Sequence, residues 1–111
     1  MADITNVDVE KARELIDAGA LLLDVREDDE FELGHAPGAL HVPLAEVPDH
    51  LQELPKDRTI VAVCRSGGRS ARAAQFLLEQ GFDVVNLEGG MTAWAQQGAP
   101  LEALSGDPVI G

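Results

Sequence analysis

The feature that most limits what this chain can fold into is a rhythm. Short apolar runs of strand-forming residues alternate with segments whose apolar residues recur at helical spacing. Leu21-Leu22-Leu23-Asp24-Val25 and Thr59-Ile60-Val61-Ala62-Val63 are apolar nearly throughout, the pattern of strands covered on both faces. Two further strands are expected at about 39–42, ending before Pro43, and from Phe82 to Leu87. Val9, Ala12, Leu15 and Ile16 mark a helix near 8–18, with Asn6 or Asp8 available as cap and Gly19 placed to stop it. The alternation predicts an α/β architecture with a mostly parallel sheet.

The remaining segments fit between these markers. Glu27 to Glu32 reads as a short acidic turn or helix, and Gly34-His35-Ala36-Pro37-Gly38-Ala39 as a loop rich in turn formers. Leu44, Val47, Leu51 and Leu54 are spaced for a helix with Pro48 in its first turn, closed by Pro55-Lys56-Asp57. Arg69 to Gln80 is helix-like, Gly81 ends it, and a last helix begins at Gly90. Residues 98–111 hold two prolines, three glycines and no period, and are expected to be a tail, packed across the body or free, without visible chemistry.

With 111 residues there is room for one domain. A hydrophobic fraction of 45% with only four aromatic residues describes a core of aliphatic side chains. Eight basic residues against twenty acidic ones give a net charge of -12, which argues against nucleic acid and anionic membrane as partners. Met1 to Asn6 lacks the cationic start of a signal peptide, and no apolar stretch nears the roughly 20 residues that span a bilayer. A cytoplasmic protein is expected. The one cysteine, Cys64, has no disulfide or cysteine-cluster zinc partner, so its chemistry is that of a thiol.

Cys64 stands where a parallel sheet places its crevice, at the carboxyl end of a strand and just before a glycine pair and a helix start. Gly67 and Gly68 allow successive amide N–H groups to point inward around an anion, and the helix adds its positive end. Arg65, Arg69 and Arg72 gather three of the eight basic residues beside the thiol. Exposed charges are screened beyond about 8 Å, so these arginines and amides should outweigh distant carboxylates and lower the thiol pKa. A buried cysteine closing a strand is often an inert apolar filler. Two glycines and two arginines around it favour a reactive thiol at the rim of the crevice.

Cys64-Arg65-Ser66-Gly67-Gly68-Arg69-Ser70 resembles the active-site loop of the rhodanese family of sulfurtransferases. Leu23-Asp24-Val25-Arg26 followed by Glu30-Phe31, the segment 34–39, and Leu87-Glu88-Gly89-Gly90-Met91-Thr92-Ala93-Trp94 agree in order and spacing, so the likeness runs over about residues 20–98. It is to the small single-domain bacterial members. It implies a rhodanese-like fold over residues 1–98, with a central, mostly parallel five-stranded sheet and helices on both faces, and a C-terminal tail over 99–111. It also implies sulfur transfer. The Cys64 thiolate takes a sulfane sulfur from a donor such as thiosulfate or a polysulfide, and a thiol or cyanide removes it from the resulting persulfide. Arg65, Ser66, Gly67, Gly68, Arg69 and Ser70 would bind the anionic groups, with no metal or organic cofactor.

Two alternatives remain beside this one. One is a sulfur-carrier, sensing or partner-binding module on the same fold. The other, ranked lower, is a phosphatase or arsenate reductase, whose arginine follows five intervening residues rather than the four that separate Cys64 from Arg69. Larger thiosulfate-using relatives carry lysine where Ser66 stands, which leaves the donor open among thiosulfate, polysulfide, glutathione persulfide and a protein persulfide. Of the supporting residues, Asp24 and Arg26 read first as an ion-pair anchor. His35 reads as a loop-fixing residue before a general base. With His41 and His50 it shows no metal spacing. The six acidic residues within 24–32 form either a solvated face or a dock for a basic, sulfur-accepting protein.

Overall fold

The computed structural model describes residues 3–111; Met1 and Ala2, at the head of the segment judged to lack leader character, lie outside the described residues. Five strands, β1 (Thr5–Val7), β2 (Leu21–Asp24), β3 (Leu40–His41), β4 (Ile60–Val63) and β5 (Val84–Leu87), form one sheet in the order β1-β5-β4-β2-β3. Every pairing is parallel. The helices are α1 (Val9–Asp17), α2 (Asp28–Leu33), α3 (Gly68–Glu79) and α4 (Gly90–Gln96).

The alternation of side chains along each strand sorts the core into two layers. Leu23, Ile60, Ala62 and Cys64 face one side, where Ala73, Ala74 and Leu77 of α3 cover them. Leu22, Val61, Val63 and Leu87 face the other, against Val9 and Ala12 of α1 and Met91 and Trp94 of α4. Every residue of β4 is fully buried, which is why its sequence lacks the polar alternation of a one-sided strand. Burying an Ile or Val side chain contributes about 1.5–3 kcal/mol, so this central strand anchors the loop that leaves it. Trp94 sits in the second layer and donates its indole N–H to the Pro100 carbonyl.

Local signals set the helix ends. Asp8 caps α1 by accepting from the Lys11 N–H at 2.8 Å, a contact worth about 1 kcal/mol. Gly19, at φ 110°, turns the chain toward β2. The segment 44–53 departs from the α-helix that its spacing predicts and forms a 3₁₀ helix, Leu44–Glu53. Pro48 lies inside it, where it has no N–H to donate and its ring crowds the preceding turn. β1 escapes the periodicity altogether: Thr5-Asn6-Val7 is short and mostly polar, and pairing with β5 makes it a strand.

The segment 99–111 is docked beside α2. His35 and Glu102 exchange two backbone hydrogen bonds of 2.8 Å, Leu104 N–H donates to Glu32 O, and Val109 N–H donates to Leu33 O. Gly34 permits the last contact, since a Cβ there would come within 2.9 Å of the Val109 nitrogen. No helix among the described residues is long and apolar enough to cross a membrane.

Candidate active site

β4 carries the chain to Cys64, and the loop 64–67 then turns into α3 with Gly67 in the left-handed region at φ 114°. Two hydrogen bonds from α4 orient the peptide units of this loop. Met91 N–H donates to Cys64 O at 2.8 Å and Thr92 N–H to Arg65 O at 3.0 Å. With these carbonyls turned toward α4, the N–H groups of the following peptides face the sulfur. Gly90 makes this close approach possible: a Cβ there would stand 2.5 Å from the Arg65 carbonyl oxygen and closer still to that of Cys64. Its φ of 58° also favours glycine.

Cys64 Sγ accepts from the Gly67 N–H at 3.1 Å and lies 3.3 Å from the Ser70 hydroxyl. The residue is 1% exposed, so the sulfur sits on the floor of the cradle rather than at its rim. Burial pushes the thiol pKa up. The Ser70 hydroxyl and the N–H groups of Ser70, Gly67 and Ser66 push harder the other way, leaving Cys64 below the ordinary thiol value. The sulfur therefore lies between apolar core and inward-facing amides, with neutral donors that favour its ionised form.

The arginines play a different electrostatic part from the one their spacing suggests. Arg69 makes a two-pronged ion pair with Glu30 of α2, at 2.6 and 2.9 Å. Its hydrogen bond holds the Glu30 carboxyl at about 2 against the opposing effect of burial. The same contact raises the Arg69 pKa. Carboxylates are thus not distant from the loop: the acidic helix supplies Arg69's partner. Arg65 and Arg72 are exposed, as are Ser66 and Gly68. The lowering of the Cys64 pKa comes chiefly from hydroxyl and peptide hydrogens, with the charge of Arg69 a smaller influence.

Asp24 and Arg26, both buried, bond chiefly to each other: Arg26 Nε and Nη2 donate to the carboxylate at 2.8–3.1 Å, and Nη2 also donates to Gly34 O at 2.7 Å. His35 Nδ1 donates to Phe31 O at 2.7 Å, its ring stacks on Phe31, and Nε2 lies 3.3 Å from the Glu102 carboxylate. His41 stacks on the same phenyl ring. The fold therefore gathers Cys64, Ser66 and Gly67 of the loop with Arg69 and Ser70 of the first turn of α3, and assigns Asp24, Arg26 and His35 to contacts around α2. Three residues outside the loop complete the site: Glu30, Gly90 and Asn86. Gly90 and Glu30 lie inside motifs visible in the sequence, but Arg69 is 39 positions from Glu30, and Arg65 and Cys64 are about 25 from Gly90, beyond the reach of local spacing.

A parallel α/β sheet whose central strand delivers a single thiol into an amide-lined loop defines the class, a cysteine-loop α/β protein. Residues 8–97 match the family model described as Rhodanese-like domain, and the chain belongs to that family of sulfurtransferases. It is 45% identical over 87 residues to a protein of Allochromatium vinosum named sulfurtransferase, spanning 78% of this chain and 81% of that one. A rhodanese-related protein from Thermoplasma volcanium superposes with a TM-score of 0.84 at 31% identity, over 91% of this chain and 99% of that one. A thiosulfate sulfurtransferase from Pseudomonas aeruginosa gives a TM-score of 0.82 at 30% identity, covering 95% of this chain but 21% of the longer one.

Proposed function

We propose that the chain transfers sulfane sulfur through a persulfide on Cys64. The observation that carries this reading is the sulfur's set of donors, the Gly67 N–H at 3.1 Å and the Ser70 hydroxyl at 3.3 Å, which favour the thiolate in a residue shielded from water. With thiosulfate, the thiolate attacks the outer sulfur, the donor's S–S bond breaks, and sulfite leaves with the bonding pair. Cyanide then takes the terminal sulfur as thiocyanate and returns the thiolate; a thiol acceptor leaves as a persulfide.

The residues divide the work. The N–H groups of Ser66 and Gly67, with Gly68 at the start of α3, form the cradle for the donor's anionic end and then for the terminal sulfur. Ser70 reaches the sulfur from the first turn of α3. Arg65, exposed beside the cysteine, draws anionic donors toward the loop, and Arg69 ties the loop to α2. Because Cys64 is 1% exposed, donors that present sulfur at the end of a chain fit best, polysulfides and persulfides among them. The exposed carboxylates of Glu27, Asp28, Asp29 and Glu32 border the same loop through Glu30 and suit a basic, sulfur-accepting protein. A cytoplasmic setting, where thiols stay reduced, suits a free cysteine of this kind.

The test is direct. After incubation with thiosulfate or polysulfide, mass spectrometry should show one added sulfur atom on the wild type and none on Cys64→Ser, and only the wild type should convert cyanide to thiocyanate. Absence of loading by every donor would leave a binding module. Cys64-dependent turnover of an aryl phosphate would replace sulfur transfer with phosphoryl transfer.

A further inference from the structure

Behind the loop lies a hydrogen-bond chain, buried at Asn86 and Ser70 and open to solvent at Asn6, that links three strands' worth of sequence to one sulfur. Asn86 of β5 is 3% exposed and Ser70 is fully buried. The Asn86 amide nitrogen lies 2.9 Å from Asn6 Oδ1 of β1 and 3.3 Å from the Gly67 carbonyl oxygen. Its Oδ1 lies 2.6 Å from Ser70 Oγ. A backbone carbonyl can only accept, so the Gly67 oxygen fixes which way the Asn86 amide points. Both amide hydrogens are then committed, and Oδ1 is left facing Ser70.

Ser70 has one hydroxyl hydrogen and three acceptors within reach: Asn86 Oδ1 at 2.6 Å, Cys64 Sγ at 3.3 Å and Gly67 O at 3.3 Å. In the thiol form the hydrogen goes to Asn86, the nearest acceptor, and the Cys64 S–H can donate to Ser70 Oγ. In the thiolate form the negative sulfur needs that hydrogen, and giving it up leaves a buried carbonyl oxygen without a donor. When Cys64 carries a second sulfur, Sγ becomes a neutral divalent atom and a weak acceptor, and the hydroxyl is free to return to Asn86.

We propose that Asn86 is a positioning residue that makes the Ser70 hydroxyl a two-position donor, competing with the cysteine sulfur for its hydrogen. The consequence is a thiolate held less tightly than its surroundings allow, and an uncharged, sulfur-loaded Sγ held without penalty. Asn86 thereby tilts the site toward taking up sulfur. This last step rests on the persulfide reading; the competition itself does not. The charged groups around the loop are Arg65 beside the cysteine, Arg69 with its partner Glu30, Arg72 of α3, the exposed carboxylates of Glu27, Asp28, Asp29 and Glu32, and the Asp24–Arg26 pair at the end of β2. None of them is altered in the test.

The apparent pKa of Cys64, read from the pH dependence of its alkylation by iodoacetamide, measures the competition. Ser70→Ala should raise it, and Asn86→Leu should lower it by roughly three- to tenfold in ionisation constant, the range of one net hydrogen bond. With Ser70→Ala already present, Asn86→Leu should have no further effect. A residue that merely propped up the loop would loosen the amides when replaced and raise the pKa. A rise, no change, or an equal shift in both backgrounds therefore overturns the proposal. The wild type supplies a check that needs no variant to fold: the Asn86 side-chain amide resonances should titrate with the Cys64 alkylation pKa, and constancy through that range overturns it as well. Failure of every donor to load Cys64 would sink the persulfide reading while leaving this result intact.

Discussion

β2 and β4 are hydrogen-bonded neighbours, with Asp24 in register with Val63, and each leads a buried polar group to the same end of the sheet. From β2 comes Asp24, whose carboxylate takes the Arg26 backbone N–H and guanidinium, while the guanidinium goes on to Gly34 O. From β4 comes Cys64, whose sulfur has only neutral donors, one of them shared with Asn86. At equal burial, the first group is saturated by a full opposite charge and has nothing left to offer a ligand. The second keeps an unfinished set of interactions, which is the condition for reactivity. A place at the end of a parallel strand is therefore not enough to make a site; the stoichiometry of donors and acceptors there decides it.

That contrast should show as opposite signatures of substitution. Arg26→Met leaves Asp24 buried beside no cation, and unpairing a buried ion pair costs about 3–5 kcal/mol. Urea unfolding should show that loss, while the alkylation rate of Cys64 per folded molecule stays near wild type; a collapse of reactivity without loss of stability would place Arg26 in the chemistry. Gly90→Ala reverses the pattern. Pushing a methyl group into the loop carbonyls costs about 1–3 kcal/mol as overpacking. It should also turn the Ser66 and Gly67 amides off the sulfur, raising the Cys64 pKa and cutting sulfur loading at least about tenfold, the equivalent of one pKa unit. Unchanged reactivity would mean that α4 does not orient the loop.

Smaller effects probe the link between the two regions. Glu30→Gln removes the carboxylate that holds Arg69, a partly exposed pair worth at most about 1 kcal/mol. Because the folded-state pKa of Glu30 lies at about 2, below its ordinary 4.5, the stabilisation is fully present above pH 4.5 and is lost as the pH falls toward 2. The stability difference between wild type and Glu30→Gln should shrink over that window, and a difference that grew instead would contradict the assignment. Least of all, Glu102→Gln should change stability by no more than about 0.5 kcal/mol, since the two backbone bonds between His35 and Glu102 survive. A larger loss, seen in thermal unfolding, would make the side-chain contact the main tie of the segment 99–111.

Most of the layered architecture could be read before any coordinates. β2 and β4 announce themselves because burial on both faces removes polar residues from their sequences, and Asp8 and Gly19 bound α1 for local reasons. β1 could not be read, because three mostly polar residues become a strand only through the pairing offered by β5. The 3₁₀ segment shows local chemistry overruling period: Pro48 forbids what Leu44, Val47 and Leu51 suggest. At the site, Cys64 and its glycines stood out by adjacency. Asn86 reads in sequence as no more than a polar break in a strand.

The residue order of this chain determined its alternating layers, the single thiol at the end of the central strand and the glycine-rich turn that follows, since each depends on neighbours a few positions apart. Only the tertiary structure decided how the loop around the sulfur is held and what its donors bond to besides the sulfur. It gave Arg69 to Glu30, turned two loop carbonyls toward α4 past Gly90, and set Asn86 against Ser70. Hydrogen bonds and ion pairs act over about 3 Å of space, and Glu30, Asn86 and Gly90 are brought within that reach of the loop by packing, from positions far along the chain.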